Sequence, residues 1–198
     1  MTYEGVQPGT DEIRVRSGRR ELVATGTTLT IGDAVYDLNR IDRVIYKAAI
    51  RINQASYTIG VAAGDEKNVF MVDAYRRGTE FTDVRDAWNR LVSLLEATAC
   101  PRLARAALAS ISRGETVTFG APPANRIDAD TAGVRPRRPF ARITPWSAVA
   151  DVRLLEGQVQ LFTAAELAAG KAAKLRIDMS GWNAVLLPRV AAAFIGRA

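Results

Sequence analysis

From Ile13 onward the apolar residues recur in short alternating runs. Ile13 and Val15 alternate with charged neighbours in EIRVR, and Leu22–Thr25, Leu29–Ile31 and Val35–Leu38 follow. Gly18, Gly26 and Gly32 separate them. Runs of this length with turn residues between them predict antiparallel strands. Longer β-rich runs come next at Ile41–Ile52, Ser56–Ala62 and Asn68–Ala74, with Gly64, Asp65 and Gly78 in the turns. The first ten residues hold Gly5, Pro8 and Gly9 and predict a loose tail. Near Thr82 the period changes from two to about 3.6. Phe81, Val84, Trp88, Leu91, Val92 and Leu95 then share one helical face, with Thr79 or Thr82 as cap. Cys100-Pro101 predicts a break, and PRLARAALASISRG a second helix stopped by Gly114.

Past Gly114 the strand pattern restarts. Glu115–Gly120 predicts one strand, and a Pro- and Ala-rich connector follows. Arg126–Val134, Phe140–Trp146, Val149–Leu155 and Gln158–Thr163 predict four more, with Glu156-Gly157 as a tight hairpin turn. AAELAAGKAA fits a turn of helix or an elaborated loop, and Leu175–Met179 a last strand. Asn183 opens a final helix through Ile195, which Pro188 kinks or delays.

Several short strands followed by one amphipathic helix therefore occur twice. Leu38, Ile41 and Val44 share their spacing with Trp146, Val149 and Val152, each pair 108 positions apart. NVFMVDA before the first helix corresponds to KLRIDMS before the last. ELVATG and ETVTFG share Glu, Val and Gly at an offset of 94. The shorter offset places extra residues in the second copy, around Arg135, Arg137 and Arg138. Repetition of a whole supersecondary pattern carries more weight than any single motif. The expected fold is α+β: two barrels in tandem, each a bent antiparallel sheet of about seven strands stoppered by a C-terminal helix. The expected division is residues 11–100, a linking helix 101–113, and residues 114–198.

Composition narrows the function. Among 198 residues, 48% are hydrophobic and 24% charged, the balance of a globular chain. No run reaches the ~20 apolar residues of a membrane span. The N-terminal residues have neither a basic start nor an apolar segment, which argues against a secretory signal. One cysteine, Cys100, excludes an internal disulfide and fits a reducing, cytoplasmic setting. Histidine is absent. That removes Ser-His-Asp triads, Cys-His pairs and HExxH zinc sites. No glycine-rich phosphate loop is present, and no cofactor is expected. The net charge of +6 favours anionic partners through a weak, screened attraction. Its arginines are spread along the chain, with small clusters at Arg14, Arg16, Arg19, Arg20 and at Arg135, Arg137, Arg138, Arg142, and form no single stripe, so a nucleic-acid partner is not expected.

The pattern resembles a tandem of pleckstrin-homology-like (PH-like) domains, and in particular an uncharacterised bacterial family with two such domains. The junction PRLARAALASISRGETVTFG (Pro101–Gly120), the strand pair ITPWSAVADVRLLEGQVQLF (Ile143–Phe162) and WNAVLLPRVAAAF (Trp182–Phe194) carry the likeness. A helix running into GETVxFG, an LPW turn and an asparagine opening the last helix are typical there. Thr144 stands where leucine is usual, and Pro188 interrupts the final helix. The likeness is strongest over Glu115–Ile195 and is only general over Glu12–Ala99. It implies a fold and lends no activity.

The sharpest candidate is VRPRRPFAR (Val134–Arg142). Arg135, Arg137, Arg138 and Arg142 lie close together there, and guanidiniums grip phosphates bidentately. Basic loops of PH-like domains sometimes bind inositol phospholipids, by the resemblance; the plain alternative is a stiff solvated loop held by Pro136 and Pro139. Asp128/Asp130 and Asp83/Asp86 are explained by strand alternation and a helix start before metal binding is needed. Trp88, Trp146 and Trp182 fit core anchors. The first expectation is a non-enzymatic adaptor that binds a protein or peptide through a strand edge or beside a helix. The alternative is a peripheral membrane module reading anionic headgroups. An enzyme ranks last, since no nucleophile–base pair can be assembled.

Overall fold

The computed structural model describes residues 12–75, 80–120 and 126–195. The opening tail, Thr79 and the connector 121–125 lie outside them. The chain divides into two compact units, one ending at Pro101 and the other beginning at Arg102. It is a mixed α/β chain of four antiparallel sheets and four α-helices among the described residues, with strands predominating.

In the first unit β1 (Ile13–Ser17), β2 (Arg20–Ala24), β3 (Thr28–Ile31) and β4 (Ala34–Asp37) form a meander in sequence order. Alternation decides which face is covered: Ile13, Val15, Leu22, Leu29, Ile31 and Tyr36 are buried. β5 (Arg43–Ile50), β6 (Gln54–Ala63) and β7 (Glu66–Tyr75) form a second sheet in sequence order. α1 (Glu80–Ala97) follows and contacts β1, β6 and β7. Its Val84, Ala87, Leu91 and Leu95 are buried at helical spacing. Trp88 is half-buried, its ring 5.4 Å from Tyr57 of β6. Tyr46 of β5 donates its hydroxyl to Glu96, tying the helix end to the sheet. Thr82 lies inside α1 and is not its cap.

α2 (Ala99–Ser112) begins after a single interruption at Thr98, so the expected break at Cys100-Pro101 is displaced. Pro101 falls in the first turn, where a missing N–H leaves no intrahelical bond unmade. In the second unit β8 (Val117–Gly120), β9 (Arg126–Ala129), β10 (Gly133–Pro136) and β11 (Thr144–Pro145) form a four-stranded meander. β12 (Val149–Leu155), β13 (Gln158–Thr163) and β14 (Leu175–Asp178) form the three-stranded sheet. α3 (Ala164–Ala168) lies between β13 and β14; a 3₁₀ turn at Ala184–Leu186 leads into α4 (Leu187–Ala192). Glu156 and Gly157, at φ 52° and 72°, make the expected hairpin turn of left-handed residues between β12 and β13.

Each unit thus runs four strands, three strands, helix. The 108-residue offset fits this order: Leu38 and Trp146 each follow the fourth strand directly. The ELVATG/ETVTFG match does not fit it, since the first lies on β2 and the second on β8. Extra residues of the second unit do lie by Arg137 and Arg138, between β10 and β11, where 137–143 replace the short Gly32-Asp33 turn.

The expected barrels are not found: among the described residues each unit holds separate four-stranded and three-stranded sheets, no sheet closes and no ladder joins one sheet to the next. Side chains bridge the seam in the first unit. Arg20 donates to Val69 O at 3.1 Å and to Asn68 Oδ1 at 2.6 Å, and Asn68 donates to Ile31 O at 3.3 Å. Three local expectations fail in the second unit. Arg126–Val134 is not one strand but a hairpin, because Asp130 Oδ1 takes the N–H groups of Ala132 (2.8 Å) and Gly133 (3.2 Å) and turns the chain. Phe140–Trp146 keeps only two strand residues, Thr144 and Pro145, and Pro145 has no N–H to continue the ladder. The last helix begins at Leu187, with Pro188 in its first turn; Asn183 does not cap it but sits at φ 59°.

A candidate anionic-surface loop

Loop 137–143 is built from the hairpin beneath it. β10 pairs with β11 as Gly133↔Pro145 and Val134↔Thr144, and only glycine permits this approach. A Cβ on Gly133 would lie 2.1 Å from Thr144 O. Trp146 then locks the far side: its indole N–H donates to Asp130 O at 2.8 Å, and its ring stacks on Phe194 at 4.7 Å. Within the loop the Arg137 N–H donates to Arg126 O at 2.8 Å, the Arg138 N–H to Pro136 O at 2.9 Å and the Ala141 N–H to Arg138 O at 3.3 Å.

A polar row crosses three strands under the loop. Thr118, Asp128 and Arg135 are register partners on β8, β9 and β10. Asp128 is buried. Thr118 donates to its Oδ1 at 2.7 Å, and Arg137 Nη1 reaches Thr118 Oγ1 at 3.4 Å and Asp128 Oδ1 at 3.9 Å. This props Arg137 while leaving half its side chain in solvent.

The four arginines singled out in sequence are therefore gathered at one loop. Arg135, Arg137 and Arg138 line an open hollow of about 400 Å³ on one side, with Asp128 at its margin. Arg138 and Arg142 line another of about 610 Å³, joined by Lys174, which precedes β14. Arg135, Arg138, Arg142 and Lys174 make no ion pair among the described residues. Several arginines elsewhere are paired. Arg14, Arg16, Arg43, Arg85, Arg113 and Arg153 each sit against a carboxylate within 3.4 Å. Four cations without an ion pair thus lie around 137–143. At the loop's crest Phe140 has φ 56° and is fully exposed. A bulky residue in the left-handed region is an outlier that costs of order 1–3 kcal/mol.

Lys174 was not visible as a member of this group from sequence, because it stands 32 positions beyond Arg142. Glu166 helps place it. Its Oε2 accepts from the Thr163 N–H at 2.9 Å and the Thr163 hydroxyl at 3.0 Å, and its Oε1 from the Lys174 N–H at 3.3 Å. Those bonds, the Thr163 N–H first, hold its carboxyl below the ordinary carboxylate value despite burial. A lowered folded pKa means this support is present at neutral pH. It is lost as pH falls through the ordinary value and then the lower folded one. Glu166→Gln is expected to cost about 2 kcal/mol at pH 7. Thermal melts of the two proteins are expected to draw together as the pH falls below the ordinary carboxylate value and to converge below the lowered folded one; a constant gap across that range contradicts this role.

Among the described residues no group of three or more Cys, Asp or Glu side chains is placed to hold a metal. No helix is long and apolar enough to cross a membrane. Cys100 is buried. No protein-family model matches the chain and no curated protein matches it, so the reading of the loop rests on its geometry.

Proposed function

We propose that the chain is a non-enzymatic binding module of two PH-like units, and that loop 137–143 is where it meets an anionic membrane surface. The observation that carries this is Phe140, fully exposed at the crest of a loop flanked by Arg135, Arg138, Arg142 and Lys174, which make no ion pair among the described residues. The repeated order of four strands, three strands and helix supports the PH-like part. Cations near an anionic leaflet contribute about 1 kcal/mol each, so four to five of them give a salt-sensitive attachment. An aromatic ring at the interface adds an apolar term that salt does not screen.

Wild-type protein is expected to co-sediment with vesicles of phosphatidylcholine containing about one third phosphatidylserine, and not with phosphatidylcholine alone. Added salt is expected to weaken the binding. Equal affinity for both vesicles, or none, would overturn the reading. A protein or peptide partner, foremost by sequence, stands second. Val69, Met71 and Tyr75 leave an exposed apolar row along β7 that could take one. A stoichiometric complex that survives high salt would favour it.

A further inference from the structure

We infer that Phe140 is an interfacial anchor, held out in a conformation the loop tolerates only because the ring's destination is the bilayer; this rests on the membrane reading above. Three observations point the same way. The ring gains nothing from the folded protein, being fully exposed. Its backbone is in the left-handed region, which glycine or asparagine would occupy at less cost. Cations surround it on both sides of the loop, with Arg135 and Arg137 in one hollow and Arg142 and Lys174 in the other. A membrane-facing residue is expected to show all three together: apolar, unpacked, and ringed by groups that meet phosphates while the ring goes deeper. Pro139 next to it limits the loop's freedom to fold the ring back.

The anchor acts separately from charge, which sets the test. Phe140→Gly, Phe140→Asn and Phe140→Leu are compared with wild type on the two vesicle compositions, across a salt series, and by thermal melting. Phe140→Gly and Phe140→Asn should melt at or above the wild-type temperature, since a strained position is relaxed. Both should bind anionic vesicles about tenfold more weakly, as partial burial of a phenylalanine implies. Their residual binding should vanish in salt, whereas wild type keeps a fraction. Phe140→Leu should restore most of that fraction. Wild-type-like binding by Phe140→Gly and Phe140→Asn, with an unchanged salt curve, overturns the anchor while leaving the charge-based reading intact. Failure of wild type to bind either vesicle overturns both. If Phe140→Gly melts well below wild type, the residue packs in the folded protein and the anchor is also wrong.

Discussion

Gly133→Ala is expected to be among the most damaging single substitutions in the second unit. The added Cβ would meet Thr144 O at 2.1 Å, Thr144 C at 2.8 Å and Pro145 Cα at 2.9 Å. All three are backbone atoms, so no rotamer change relieves them. The residue also holds φ 154°, outside the range a side chain readily adopts. β11 must therefore leave β10, and Trp146, one residue past β11, loses its seat on Asp130 and Phe194. Strain and overpacking together suggest about 3 kcal/mol. For a unit of this size that lowers the melting temperature by roughly 15 °C. Gly114→Ala is the control: φ is again positive, at 83°, but no atom lies within 4 Å of its Cβ. It is expected to cost only about 1 kcal/mol. Equal melting of the two variants would show that the β10–β11 approach does not govern stability.

The second large effect is on binding. Reversing Arg138, Arg142 and Lys174 to glutamate is expected to weaken binding to anionic vesicles at least ~100-fold, at about 1 kcal/mol per cation removed. Arg137 is left in place because part of its charge is already engaged with Asp128. Reversing Arg40, Arg51 and Arg90 instead makes the same change in net charge, two units at each of three positions, from +6 to 0. Those side chains are exposed in the first unit. Equilibrium sedimentation with vesicles should show a small loss for this second set. Equal losses would mean that general charge, and not the loop, drives association.

Much of the first unit was legible because its strands obey a strict two-residue alternation. Ile13/Val15, Leu22/Ala24 and Leu29/Ile31 face inward as their spacing requires. α1 was legible from its stripe, though Ala87 was missed because a small residue gives little periodic signal. The second unit hid more. Arg126–Val134 is apolar enough on both arms to look continuous, and its turn depends on one Asp130 carboxylate catching two N–H groups. β11 has two residues, too few for any period to register. Of the site, the arginines were visible as a cluster in sequence. Lys174 was not, because only the fold brings it near. Phe140 falls within the run that predicts a strand, since nothing in sequence announces a phenylalanine in the left-handed region.

The most direct measurement of the account is amide hydrogen exchange of the whole chain, with and without phosphatidylserine-containing vesicles. Slowed exchange is expected at 137–143 and around Lys174, with Val69–Tyr75 unchanged. Protection along Val69–Tyr75 with none at 137–143 would contradict the assignment of the membrane-facing surface.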